Sequence, residues 1–210
     1  MDHTNILLEL ERLYPEATPE LHFSNPYETL VATMLAAQCT DKQVNKVTAV
    51  LFPAVPDVYA MAKLTADEIR PMIASCGFKS KADNITVACR IIVEKFGGEV
   101  PHTMEDLTSL PGVGRKTANV VLANAFGIPA IAVDTHVFRV SNRLGLADAK
   151  DVLKTERQLM QAIPMERWSQ AHHWLIYHGR RVCFAIKPAC AKCTLAKWCV
   201  NYTKEKESSF

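Results

Sequence analysis

The chain has 210 residues, 49% of them hydrophobic and 22% charged, and a net charge of +2. At this length folding buries roughly 70% of the unfolded surface, so a core forms without disulfide staples, in one domain or two small lobes. High apolar content at low net charge excludes intrinsic disorder, and no apolar run approaches the ~20 residues of a membrane span. The opening stretch MDHTNILLELERLYPE is acidic and shows neither a basic start nor a small-residue cleavage site, so the expected location is the cytoplasm rather than a secreted compartment.

Helix signals follow one another along the chain. Ile6, Leu7, Leu10 and Leu13 recur at helical spacing before Pro15. Asn25, Pro26 and Glu28 read as N-cap, first-turn proline and capping box, ahead of an apolar stripe of Tyr27, Leu30, Val31, Met34 and Leu35. Thr40 with Gln43 opens a helix that stops near Pro53. Thr65 with Glu68 opens another, in which Pro71 is expected to bend the helix or shift its start. Ser80 with Asp83 is the expected cap of a longer helix, Lys81 to Phe96, closed by Gly97 and Gly98. A short helix runs from Thr103 to Leu110, a second from Arg115 to Phe126, and Asp134 has the position of an N-cap for a third that ends at Gly145. Two more helices are expected near 151–162 and 166–181. The one extended apolar run, Ile131 to Val133, is too short for a sheet. The class is all-α, with about ten helices on short loops.

Charge is distributed unevenly. Residues 1–36 carry a net charge of −5 and the remainder +7, with seven bases against two acids in residues 179–210. A basic C-terminal half suits a phosphate backbone as well as it suits an ordinary solvated face.

Leu110-Pro111-Gly112-Val113-Gly114-Arg115-Lys116-Thr117-Ala118 is the most informative stretch. Two glycines two apart permit a tight turn between helices and close approach of a ligand to the backbone. The amides of Val113, Gly114 and the next residues are expected to point outward at a helix N-terminus, where N–H donors and the helix dipole favour phosphate. A plain helix-turn-helix corner would use the same glycines. Lys116 stands in the first helical turn, at the end of the dipole that disfavours a cation. That placement favours the neutral amine, a nucleophile able to form a Schiff base with a sugar aldehyde; a simple phosphate-contacting lysine is the other reading. Asp134, 18 residues downstream, is either an ordinary N-cap or a carboxylate that assists the amine at a glycosidic bond.

Seven cysteines fall into two groups. Cys39, Cys76 and Cys89 are scattered and read as small buried hydrophobes; Cys183, Cys190, Cys193 and Cys199 crowd within 17 residues. A reducing compartment argues against disulfides, so the second group indicates a metal centre, either zinc or a [4Fe–4S] cluster. Lys187, Lys192 and Lys197 lie among these cysteines and offset thiolate charge. His172, His173 and His178 share one expected helix and read as core or supporting groups, as do Trp174 and Tyr177, while His136 is expected to support the Asp134 turn.

These motifs together resemble the helix-hairpin-helix family of DNA glycosylases and AP lyases, in its iron–sulfur branch. Leu110 to Ala118 resembles the family hairpin, and the Gly127/Pro129 loop with Asp134 resembles its Gly/Pro-rich loop and catalytic aspartate. Cys183-x6-Cys190-x2-Cys193-x5-Cys199 has its iron–sulfur spacing, and Ala36-Ala37-Gln38-Cys39-Thr40-Asp41 resembles a DNA-contacting segment. The resemblance implies a two-lobed helix-hairpin-helix glycosylase fold, with residues 19–129 as a helical barrel lobe carrying the hairpin. Residues 1–18 plus 130–210 would form a lobe with a C-terminal [4Fe–4S] cluster loop, and Lys116 and Asp134 would face each other across the groove between lobes.

The implied activity is bifunctional: excision of oxidised pyrimidines in base excision repair, through a Schiff base on Lys116 followed by β-elimination. The target nucleotide is flipped out of the stack first, because neither Lys116 nor Asp134 reaches C1′ inside a duplex. Gln38 matches the residue that fills the vacated space, and Phe78 falls where the family places an apolar wedge. Gly112, Val113, Gly114 and Arg115 would bind the DNA backbone. The implied partner is double-stranded DNA containing damaged pyrimidines or abasic sites, met by a monomer in the bacterial cytoplasm, on the nucleoid. Rival readings are an adenine mismatch glycosylase, a thymine mismatch glycosylase and a non-catalytic DNA-docking hairpin. Lys116 counts against both mismatch enzymes and, together with Asp134, against the docking hairpin, and an adenine glycosylase would also carry a glutamate near Ala32 and Thr33.

Overall fold

A computed structural model describes residues 3–207. Among the described residues there are twelve α-helices, joined by turns and short 3-10 segments, and no strand. No helix is long and apolar enough to cross a membrane. The chain divides into two compact units, Met1–Thr18 with Pro129–Phe210, and Pro19–Ile128.

Helix α1 (Thr4–Leu13) opens the first unit. The second is built from α2 (Pro26–Leu35), α3 (Asp41–Ala54), α4 (Val58–Lys63), α5 (Ala66–Ile73), α6 (Ser80–Phe96), α7 (Met104–Ser109) and α8 (Arg115–Phe126). Helix α2 sits at its centre. Tyr27 and every residue from Thr29 to Leu35 are buried, as suits a helix covered all round. Burial of side chains such as Leu30 and Leu35 contributes about 2 kcal/mol each. The polar threonines on this buried helix hydrogen-bond back into it: Thr29 Oγ1 donates to Asn25 O and Thr33 Oγ1 to Thr29 O, at 2.8 and 2.7 Å.

Side-chain caps start most of these helices. Asn25, Thr40, Asp57, Thr65 and Thr103 each accept from a backbone N–H three residues on. The reciprocal half of the expected boxes varies. Thr65 and Glu68 form the full box, but Glu28 turns back to Ser24 and the Gln43 amide reaches Ser75 Oγ at 2.8 Å. Three sequence expectations change. Helix α6 begins at Ser80 with Lys79 as N-cap and no side-chain cap bond, so Ser80 and Asp83 form no box. Pro71 lies inside α5, which still starts after Thr65 and passes into a 3-10 turn, Ala74–Cys76. Helix α4 was not anticipated, because six residues are too few to show a helical period.

The first unit continues with α9 (Thr135–Leu144), α10 (Val152–Ala162), α11 (Trp168–Arg181) and α12 (Val200–Glu207). Ile6, Leu7 and Leu10 of α1 pack with Val137, Val140 and Leu144 of α9 and with Trp174 and Leu175 of α11, over Ile131 and Val133. Leu195 is fully buried in the same cluster, and Cys183, Cys193, Trp198 and Cys199 pack against it, so the cysteine-bearing segment is anchored on this core. Tyr177 is half-buried at its edge, donating to Thr18 O at 3.2 Å beneath the Arg181 guanidinium.

Two outcomes follow for stability. Gly112 has a φ of +77°, and a Cβ there would lie 2.9 Å from Asn84 on α6. Gly114 has an extended backbone with open space around it. Gly112→Ala is expected to destabilise the protein by about 1–3 kcal/mol in urea unfolding, and Gly114→Ala by under about 1 kcal/mol. His173 is held down to about 3, by burial first and by His172 second. The unfolded chain therefore takes up a proton that the folded chain refuses. This contribution to stability is present above pH 6.5 and is lost as pH falls below it, by up to about 1.4 kcal/mol per pH unit. Unfolding measured from pH 7 to pH 4 is expected to show that slope, and a His173→Asn variant a shallower one.

Candidate active site

The hairpin joins α7 to α8. Val113 is buried and its N–H donates to Leu110 O at 3.1 Å, closing the turn. Its amide is therefore not among the outward donors, contrary to expectation; Val113 anchors the hairpin instead. Gly114 is the N-cap of α8 and supplies no side chain to its first turn. A first helical turn holds N–H groups with no intrahelical acceptor, and here Gly112, Gly114, Arg115 and Lys116 are all exposed around them. Lys116 is the second residue of α8, so its amine stands at the positive end of the helix dipole. An uncapped, glycine-flanked helix start with two exposed cations is suited to a phosphate.

Asp134 is the N-cap of α9. Its Oδ1 accepts from Val137 N at 2.7 Å, which leaves Oδ2 outside the cap and the carboxylate half-buried in a set orientation. The two readings of Asp134 are thus compatible in one side chain. His136 does not brace the Asp134 turn as expected. It packs against Gly179 of α11, and its Nδ1 lies 3.2 Å from Arg139 Nη2. Lys116 belongs to the Pro19–Ile128 unit and Asp134 to the other.

Gln38 and Phe78 are both exposed, Phe78 at 59%. Phe78 is therefore not a core aromatic. Gln38 adopts a φ of +55°, an uncommon conformation for a residue with a side chain. Its turn follows α2, and Phe78 stands in the loop before α6. Between them lies Lys81, only 7% exposed, whose ammonium donates to Leu35 O at 2.7 Å, Ala37 O at 2.6 Å and Cys76 O at 2.5 Å. Sequence reasoning missed Lys81 because a lysine in the first turn of a helix reads as surface charge.

Cys183, Cys190, Cys193 and Cys199 line one cavity, together with Arg143, His178 and Tyr202. Burial pushes the Cys193 and Cys199 thiols up, and the other thiols of the set add to the rise. The four share a cavity without closing on a point: among the described residues no three His, Cys, Asp or Glu side chains form a single-ion metal site. Donors converge on this cavity. Arg143 Nη1 lies 3.4 Å from Cys183 Sγ, and His178 Nε2 lies 3.6 Å from Cys193 Sγ. The Tyr14 hydroxyl holds His178 Nδ1 at 2.9 Å. Arg139 donates to the carbonyls of Gly179 and Cys183, and Arg143 to those of Phe184 and Ala185. Four thiols around one cavity, with cationic donors at their backs, fit an iron–sulfur cluster. These arginines were also missed; only their spacing of four on α9 hints that they act together. Of the scattered cysteines, Cys76 and Cys89 are buried, with thiols pushed up to about 11 and about 12, mainly by burial. Cys39 is half-buried, not fully so as expected.

Comparison with known proteins agrees with the hairpin reading. The family model described as HhH-GPD superfamily base excision DNA repair protein matches residues 31–165. Endonuclease III of Synechocystis sp. is 56% identical over 198 residues, covering 93% of this chain and 90% of that protein. Endonuclease III of Escherichia coli K12 is 48% identical over 195 residues, 92% of each chain. A solved non-covalent complex of endonuclease III with DNA aligns at a TM-score of 0.91 and 45% identity, over 97% of this chain and 96% of that one. A thermostable thymine-DNA glycosylase, 23% identical with a TM-score of 0.88, shares the fold. The chain belongs to the HhH-GPD superfamily of base excision DNA repair proteins and, within it, to the endonuclease III family.

Proposed function

We propose that this base excision repair enzyme, a DNA glycosylase and AP lyase acting on damaged bases, takes oxidised pyrimidines in duplex DNA and works through Lys116. The observation that carries the reading is Lys116 itself: an exposed amine in the uncapped first turn of α8, directly after a glycine hairpin. The hairpin donors of Gly114 and Arg115 hold a phosphate, Gly112 lets the backbone approach, and Val113 keeps the turn closed. Gln38 and Phe78 enter the space left by an extruded nucleotide. The Lys116 Nζ lone pair attacks C1′ and the C1′–base bond breaks with its electron pair leaving on the base; the C1′–O4′ bond then opens, O4′ taking up the proton the amine gave to Asp134, to leave a Schiff base. Loss of a C2′ proton then expels the 3′ phosphate oxygen. Asp134 stabilises positive charge developing at C1′ and accepts a proton as the amine becomes bound. Its cap bond from Val137 N supports this by holding the carboxylate still.

Cys183, Cys190, Cys193 and Cys199 would hold a [4Fe–4S] cluster, which pins a segment that has no hydrophobic core of its own. Lys187, Lys192 and Lys197 then present a basic loop to the DNA backbone. The enzyme acts as a monomer in the cytoplasm, at the nucleoid. An adenine mismatch specificity is disfavoured because Ala32 and Thr33 are both buried in α2 and offer no acid.

Lys116→Ala is expected to abolish borohydride trapping on a thymine-glycol duplex while duplex affinity is retained; full trapping by this variant overturns the nucleophile. Asp134→Asn retains an acceptor for Val137 N and is expected to fold normally, with base release about 10²–10⁴-fold slower in single-turnover assays. Release of adenine from a mismatch without trapping would indicate the adenine enzyme instead. Purified protein is expected to be brown and to hold about four iron atoms per chain by metal analysis; a colourless zinc-loaded protein overturns the cluster.

A further inference from the structure

We infer that Lys81 is a positioning residue for base extrusion, its buried ammonium holding the Gln38 turn and the Phe78 loop together as one wedge. The inference rests on the proposed insertion of Gln38 and Phe78 into the duplex. The carbonyls that receive the ammonium come from two separate places. Leu35 O and Ala37 O belong to the end of α2 and the turn that presents Gln38, and Cys76 O precedes Gly77 and Phe78. The backbone N–H of Lys81 also donates to Phe78 O at 3.1 Å. One residue therefore touches both loops, through its two nitrogens and four backbone carbonyls. One further link lies beside them: Gln43 Nε2, in the first turn of α3, donates to Ser75 Oγ at 2.8 Å.

Both inserted residues have a reason to need this support. Gln38 is held at a φ of +55°, which persists only where surrounding bonds over-determine it. Phe78 follows Gly77, whose φ is +99°, and is more exposed than buried at 59%. A loop free to move separately would fold away from the duplex, and the cost of opening the base pair would not be met by both side chains at once. A charge-assisted cage of three carbonyls sets their spacing before DNA arrives.

The test compares Lys81→Met, Gln38→Ala, Phe78→Ala and the Lys81→Met/Gln38→Ala double variant in two reactions. One is single-turnover base release from a thymine-glycol duplex, which needs extrusion. The other is borohydride trapping on single-stranded abasic DNA, which needs Lys116 but no extrusion. Lys81→Met is expected to slow duplex excision about tenfold to a hundredfold, to leave single-strand trapping unchanged, and to add little to Gln38→Ala in the double variant. A purely structural lysine would lower both reactions alike, and that result, or additive losses in the double variant, overturns the inference. Normal excision by Lys81→Met beside impaired Gln38→Ala overturns it alone, whereas full activity of both Gln38→Ala and Phe78→Ala removes the insertion reading beneath it. Should Lys81→Met fail to fold by circular dichroism, Ser75→Ala, which loses only the Gln43 link, carries the test: a smaller loss confined to the duplex supports the wedge, and no change overturns it.

Discussion

A chain of short helices is constrained by its helix ends. Each helix leaves up to four N–H and four C=O groups without an intrahelical partner, and here the helices run from only 6 to 17 residues. A large fraction of the backbone is therefore terminal, and it must find side chains, other backbone or a ligand. Asn25, Thr40, Asp57, Thr65, Thr103, Asp134 and Asp151 close seven helix starts with their own side chains. The residues of functional interest cluster where this solution is modified. Helix α8 begins on a glycine that cannot cap, Asp134 spends one oxygen on its cap and keeps the other, and the end of α2 borrows an ammonium from α6.

That borrowed ammonium is an expensive device. Burying a lysine charge costs several kcal/mol unless it is fully hydrogen-bonded. Three charge-assisted bonds of 2.5–2.7 Å offset the cost for Lys81 and simultaneously satisfy carbonyls at the end of a buried helix. The same chemistry recurs in the other unit. Arg139 and Arg143 of α9 donate to the carbonyls of Gly179, Cys183, Phe184 and Ala185, where α11 ends and the cysteine segment begins. In each unit a cation from one helix terminates another helix beside a site. Arg143 adds a second effect, since its guanidinium lies 3.4 Å from Cys183 Sγ and brings positive charge to the edge of the four-cysteine cavity.

Much of this was legible in the sequence because the signals are local. N-caps, glycine stops and apolar periods located most of the helices, since a cap needs only a side chain and an amide three residues away. The hairpin was legible for the same reason: Gly112 and Gly114 are two residues apart and Lys116 follows in the first turn. The cysteine spacing brought four thiols to one cavity with no need for distant residues. What local signals could not supply were bonds over long separations. Lys81 reaches 46 residues back to Leu35, Arg139 reaches 44 residues on to Cys183, and Tyr14 meets His178 across 164 residues.

Local chemistry also misled in identifiable places. Ser80 and Asp83 have the residue types of a cap, yet the helix starts at Ser80 with Lys79 as its cap residue. Glu28 and Gln43 have the spacing of box partners but find better acceptors or donors in Ser24 and Ser75. His136 was placed by its neighbour in sequence and is in fact placed by Gly179 of another helix. By itself the sequence determined the helical class, most of the helix starts, the glycine hairpin with its lysine, and the four-cysteine segment, because each is encoded within a few residues. Only the tertiary structure decided which charges are buried, which carbonyls they close, and that Phe78 and Gln38 stand exposed while Val113 does not. Those outcomes depend on what another part of the chain brings to the same place, and no short-range pattern records it.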